Sequence, residues 1–396
     1  MINTRRSIAT GAVFVGLIAV IAATLPTSIA SACPFCGAAS LTLAEQASTA
    51  DAAVLVQWVE GKTAEKDKEQ QGTSTYEILQ VVKGPETLQK GQRITLDRYR
   101  AGKAGDLFML LGSKADTIEW SSPMEVTETS FNYMSQAPPP ETPTAKRLAY
   151  FLKFLEYPDS VIANDAFAEF ANSPYKDVAE LTPIMPREKL RKWITDPAVP
   201  ATRLGLYGMM LGLCGEESDA KLLKDKFLEE TQDFRLGIDG IMGGYLLLTG
   251  AEGLDVIDEH KLRNKDIPFS ETFAAMQALR FMWTYGDQRI SPERLKQSMR
   301  ILLDRPELAD LVIADLARWE DWTIQERLMS LYGADEYNIP SIKRAIIRYM
   351  LVCSKKVPKE AGDTPAHVIA ARKALDTLRS KDPKTVAEAE RYFILP

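Results

Sequence analysis

From Ala52 to about Tyr133 the chain alternates between β-rich runs and turn clusters about every 8–12 residues, the rhythm of an antiparallel sheet. Stretches 53–59, 74–82, 92–99 and 106–112 read as strands. Ile94 and Leu96 fall on one face of the third, and Lys83-Gly84-Pro85 closes the second. The mixed charges between Lys62 and Gly72 read as a solvated hairpin tip. Stretches 118–120 and 124–133 add two strands, and the set predicts a small antiparallel barrel or sandwich.

A proline-rich segment, 137–145, follows. Consecutive prolines such as Pro138-Pro139-Pro140 favour an extended chain and disfavour both ladder and helix, so this segment reads as a linker. Beyond it the apolar positions recur at helical spacing. In 146–157 these are Leu148, Phe151, Leu152 and Leu155, and Pro158 stops the run. Helices are expected at 160–172, 187–195, 200–214, 218–230, 234–248, 269–285, 291–304, 307–320, 323–332, 339–354, 364–380 and 383–392.

Two of these helices are copies. Arg203 to Gly212 and Arg235 to Gly244 both read R-L-G-x-x-G-x-M-x-G. Glycine costs about 1 kcal/mol against alanine inside a helix, so three per copy need a reason. Gly205, Gly208 and Gly212, like Gly237, Gly240 and Gly244, are spaced three and then four apart, which puts each trio on one face. A smooth face admits a neighbouring helix closely, as stacked helical hairpins require.

The helical part resembles the HEAT-type helical repeats, including the HEAT-like repeats named after phycobilisome lyases. The stretches that carry the likeness are Asp196-Pro197-Ala198-Val199-Pro200-Ala201-Thr202-Arg203 and Ile339-Pro340-Ser341-Ile342-Lys343-Arg344. Each shows a proline, then a basic residue, then a small-residue helix. The resemblance covers 146–354 and implies an α-solenoid; it carries no chromophore-handling residue and so no lyase activity. The β-rich part is more distantly similar to netrin-like domains, relatives of the oligonucleotide-binding barrel. The parallels are a cysteine at the expected mature start, the strand from Ala50, and Tyr76 to Val82 running into Lys83-Gly84. That family's metalloproteinase inhibitors begin Cys-x-Cys and pair those cysteines within the domain. Here the motif is Cys-x-x-Cys and no cysteine lies between 37 and 213.

The first residues form a leader pattern. Arg5 and Arg6 precede an apolar run from Gly11 to Leu25, about 15 residues, a signal-peptide core rather than the ~20 that span a bilayer. Pro26 breaks any helix, and Ala30-Ser31-Ala32 offers small residues for a signal peptidase. Residues 1–32 are therefore expected to be a signal peptide, with the mature chain starting at Cys33. Thr4-Arg5-Arg6-Ser7 is a loose twin-arginine match, followed by only Ile8 as a hydrophobic residue. The pattern leaves open two routes to the membrane: an uncleaved anchor, or a lipid on Cys33, although a lipobox prefers Leu where Ala30 stands.

Net charge is −6 over 396 residues. Residues 1–32 hold two arginines and no acids, so the remainder carries 46 basic against 54 acidic side chains, or −8. A net-acidic chain lacks the basic stripe that phosphate neutralisation needs, so nucleic acid is not an expected partner.

Cys33-Pro34-Phe35-Cys36 is the motif with reactive potential. It resembles the redox sequence of glutaredoxins, but that motif follows a strand and this one follows a cleavage site. Thr42 and Glu45 fit a capping box, so a helix starts about six residues past Cys36, too far for its dipole to act strongly on a thiol. A disulfide, a redox site, metal capture and lipidation all remain open for this pair. Two sulfurs make half of a structural zinc site. Cys214 and Cys353 read as core residues. With only His260 and His367 in the chain, histidine catalysis has little to build on, and phosphate-loop, zincin and dinucleotide motifs are absent. Trp319-Glu320-Asp321-Trp322 reads as a helix end and turn, with a sugar-binding platform as the alternative.

The expected protein is multidomain and mainly α: a signal peptide (1–32), a Cys-x-x-Cys plus netrin-like β-domain (33–136), a linker (137–145) and a HEAT-like solenoid (146–396). The expected role is non-enzymatic binding or scaffolding of a protein partner in the periplasm, envelope or extracellular space, with no cofactor. The rival expectations are a thiol-redox or metal-handling protein using Cys33 and Cys36, and a lipoprotein anchored at Cys33.

Overall fold

The computed structural model describes residues 32–37, 40–64, 72–114, 117–231, 233–356 and 363–391. Apart from Ala32, the expected signal peptide lies outside them, as does most of the charged stretch between Lys62 and Gly72. Among the described residues no helix is long and apolar enough to cross a membrane.

The chain is a mainly α, multidomain protein that begins with a nearly closed, barrel-like antiparallel sheet. Its strands are Ala52–Lys62 (β1), Thr73–Lys83 (β2), Arg93–Leu96 (β3), Leu107–Lys114 (β4), Ile118–Trp120 (β5) and Met124–Glu125 (β6). The order is β3-β2-β1-β4-β5, with β6 also pairing β4. Alternation along β1, β2 and β4 sends Val54, Val56, Tyr76, Ile78, Phe108 and Leu110 to one side, where they form a closed core. Register shifts along β1/β2 mark irregularities that let so small a sheet curl.

The helices are Leu43–Thr49 (α1), Glu128–Gln136 (α2), Thr144–Phe151 (α3), Ser160–Ala171 (α4), Tyr175–Ala179 (α5), Arg187–Thr195 (α6), Leu204–Cys214 (α7) and Glu217–Leu228 (α8). Then come Ile238–Ile257 (α9), Phe269–Tyr285 (α10), Pro292–Ile301 (α11), Pro306–Arg318 (α12), Gln325–Leu331 (α13), Pro340–Lys355 (α14), Ala366–Lys381 (α15) and Pro383–Arg391 (α16). One large apolar core runs through them from Cys33 to Ala389.

Two expectations are corrected by local chemistry. The stretch expected as a last strand, 124–133, is a two-residue strand followed by α2. Thr127 accepts from the Ser130 N–H while the Ser130 hydroxyl accepts from the Thr127 N–H, a reciprocal cap that starts a helix. That helix sends Phe131 under the sheet, against Leu55 and Met109, and Tyr133 into the helical core. Gly237 was expected within a helix. It instead precedes α9 as a left-handed cap with φ 75°, a conformation that costs glycine little.

Candidate functional site

The two glycine-bearing helices, α7 and α9, lie against each other backbone to backbone. A Cβ on Gly208 would stand 2.7 Å from Ile241 Cα and 2.8 Å from the Gly240 carbonyl oxygen. Cβ atoms added at Gly212, Gly240 or Gly244 would overlap the opposing backbone outright, at Gly244, Gly205 and Gly208 respectively. Gly237, although outside the helix, meets Gly205 and Leu204 in the same way. The repeated motif thus meets its own copy.

That seam also forms a socket. A Cβ on Gly205 would lie 2.7 Å from the Phe35 carbonyl oxygen, and one on Gly243 would lie 2.6 Å from the Phe35 ring. The ring packs on Phe281 of α10, with centroids 4.6 Å apart, and Phe35 is 7% exposed. Cys33 and Cys36 are joined by a disulfide across a tight turn, Cα to Cα 5.4 Å, in which the Cys36 N–H donates to the Cys33 carbonyl. Cys33 is 5% exposed and Cys36 half-buried. On sequence this segment was grouped with the sheet; its packing partners belong to the helical core.

The residues that follow are clamped along α4. The Cys33 N–H donates to the Ala171 carbonyl (3.1 Å), and the Leu43 N–H donates to Asp165 Oδ1 (2.6 Å). The Asn172 amide reaches the Ser40 carbonyl (3.3 Å). Asp165 Oδ2 accepts from the Tyr133 hydroxyl at 2.7 Å, and Glu169, one turn on, pairs with Arg147 at 2.6 Å. Burial pushes both carboxyls above the usual range, in each case against hydrogen bonds and the Arg147 charge that pull the other way. Two acids four apart in the alanine-rich α4 were the available signal for this clamp, and sequence reasoning passed over them.

Elsewhere buried carboxylates are matched to arginines on a neighbouring helix or, for Arg235, on the segment leading into α9. Arg187–Asp219, Arg235–Glu271, Arg280–Asp315 and Arg294–Asp258 are separated by 32 to 36 residues. Burial alone would raise Glu271 and Asp219. Their hydrogen bonds outweigh it (from Arg235 and Lys261 in one case, from the Glu216 N–H, Arg187 and Arg191 in the other) and hold both carboxyls below the usual range.

The remaining candidates lie apart from Cys33. Cys353 is buried beside Gln325, its thiol pushed up to about 11 by burial, and burial raises the Cys214 thiol as well. His260 is exposed, and His367 lies flat on Trp322. Trp319 is buried and stacked on Trp283 with centroids 4.3 Å apart, which leaves no aromatic platform at that position. Among the described residues no group of three or more His, Cys, Asp or Glu side chains could hold a metal ion.

An open groove of about 580 Å³ runs between α12 and α14. Leu311, Ala314, Ala345 and Val352 line its floor, and Arg318, Arg344, Arg348 and Lys356 stand around it with Asp310 and Glu320. Sequence reasoning had not singled out any of these residues for binding. No family model, no curated protein and no solved structure matches the chain.

Proposed function

We propose that this is an exported, non-enzymatic scaffold of the cell envelope whose helical part, a HEAT-like solenoid, presents the surface for a protein partner. One observation carries the reading: the motif with reactive potential is used in packing. A redox Cys-x-x-Cys needs an accessible attacking thiolate in an electropositive setting. Here Cys33 is 5% exposed, is bonded to Cys36, and flanks a phenylalanine set between three helices.

Export is supported by the leader pattern and by a disulfide, which persists in oxidising compartments. Cleavage after the exposed Ala32 would leave the Cys33 amine donating to a carbonyl at the C-terminal end of α4. A helix dipole favours positive charge there. Lipidation is disfavoured because a sulfur in a thioether cannot also form this disulfide. The repeat reading draws support from the glycine copies 32 residues apart and from cross-helix ion pairs at a similar offset.

The test is capture of partners from an envelope fraction by the native mature chain, alongside an insulin-reductase assay. A reproducible protein partner and no turnover are the expected results. Catalytic turnover abolished by Cys33→Ser, or the lack of any partner, would overturn the proposal.

A further inference from the structure

The α12/α14 groove has the shape and charge of a helix-binding site. Its lining runs from Ser341 on α14 to Lys356 just past that helix's end, fifteen residue steps and therefore roughly 22 Å at 1.5 Å per residue. That length suits about four turns of a docked helix better than a compact small molecule. The floor is apolar and made shallow by short side chains, Ala314, Ala317 and Ala345, with Leu311 left 39% exposed at one end. Four cations against two acids line the groove, a local excess of positive charge on a chain that carries −6 overall.

Those cations are not committed elsewhere. Lys356–Glu320 (2.7 Å) joins two half-exposed side chains, Arg344–Glu388 is long at 3.9 Å, and Arg318–Asp315 (2.9 Å) leaves the arginine mostly in water. Asp315 is buried and keeps Arg318 as a partner, but exposed pairs such as the first two contribute about 0–1 kcal/mol, so an incoming carboxylate can replace Glu320 or Glu388 at little cost. Arg348 is exposed and has no ion pair among the described residues. Arg344 and Arg348 are one turn apart on α14, a spacing that carboxylates one turn apart on a second helix would meet.

We infer that the groove binds an acidic amphipathic helix of a partner protein, its apolar face on Ala314 and Ala345 and its carboxylates against Arg344, Arg348 and Lys356. This rests on the scaffold reading and specifies the partner's chemistry. The probe is a fluorescein-labelled four-turn peptide with leucines on one face and glutamates on its flanks, compared by anisotropy with the same peptide carrying lysines. The full mature chain should bind the acidic peptide, more weakly as salt is raised, and leave the basic one free. Arg344→Glu/Arg348→Glu should weaken binding by roughly tenfold or more. Ala345→Trp, which fills the groove without changing charge, should do the same, with both variants melting like the parent.

No binding of the acidic peptide, equal binding of both peptides, or unchanged affinity in both variants would overturn the inference. So would binding to phosphatidylglycerol vesicles in place of the peptide, since the surface would then be a lipid site. The envelope capture repeated with Arg344→Glu/Arg348→Glu separates the two proposals. A protein partner held equally well by parent and variant removes the groove and leaves the scaffold reading standing.

Discussion

The α7/α9 seam and the α12/α14 groove are both meetings of two helices, built from small residues to opposite ends. At the seam the small residue is glycine, the backbones touch, and the space left beside them is filled by Phe35. At the groove it is alanine, with arginines one turn apart, and about 580 Å³ stays open to solvent. A glycine face removes the side-chain layer and closes a contact. An alanine face flanked by long cations keeps a channel open. The first arrangement holds the fold and the second leaves a surface to use.

The largest effect on that contrast should come from emptying the socket. Phe35→Ala removes a buried aromatic ring and leaves a cavity bounded by rigid helix backbone, so a loss of about 3–5 kcal/mol is expected, read as a lower urea midpoint. Gly244→Ala should follow at about 1–3 kcal/mol, because a methyl group there overlaps the Gly208 carbonyl and the helices must part. Replacing Cys33 and Cys36 by serine opens a four-residue loop, whose closure entropy amounts to about 2 kcal/mol. The groove gives the control. Ala345→Leu lies on an open, half-buried floor and should change stability by no more than about 0.5 kcal/mol. A loss as large as that of Gly244→Ala would erase the distinction.

A smaller, opposed pair of effects is expected with pH. Asp219, Glu271 and Asp321 have depressed native pKa values, set by hydrogen bonds that outweigh burial. Their contribution is full above the ordinary carboxylate range and is lost as pH falls through the depressed values. Asp165 and Glu169 are raised by burial, so their contribution is present below that range and is lost as pH rises through their native values. Mild acidification from neutrality should therefore tighten the N-terminal clamp before stronger acid loosens the ion-paired helices. A higher urea midpoint at mildly acidic than at neutral pH reads the first effect, and Asp165→Asn should reduce it.

Much of the architecture was legible because it is written in period and punctuation. The helix at 269–285 and strand 118–120 follow from apolar spacing; the two copies of one motif marked the glycines as packing positions without saying that each copy meets the other. What was not legible depends on contacts distant in sequence. The stretch 124–133 reads as a strand, and the Thr127–Ser130 cap starts a helix within it. Phe35 reads as part of a redox motif, and its socket is built by residues about 170 to 245 positions further on, a relation no local pattern encodes. The groove is harder still, since Arg344 and Arg348 look like any solvated helix face until α12 is set beside α14.

The central claim is that Cys33 and Cys36 hold a structural turn at the seam, and intact mass of the native protein after alkylation tests it most directly. The expected result is a chain beginning at Cys33, without lipid, in which neither cysteine is labelled in the folded state and both are labelled after denaturation and reduction. Ready labelling of Cys33 in the folded protein, or an acyl mass on it, would contradict the account.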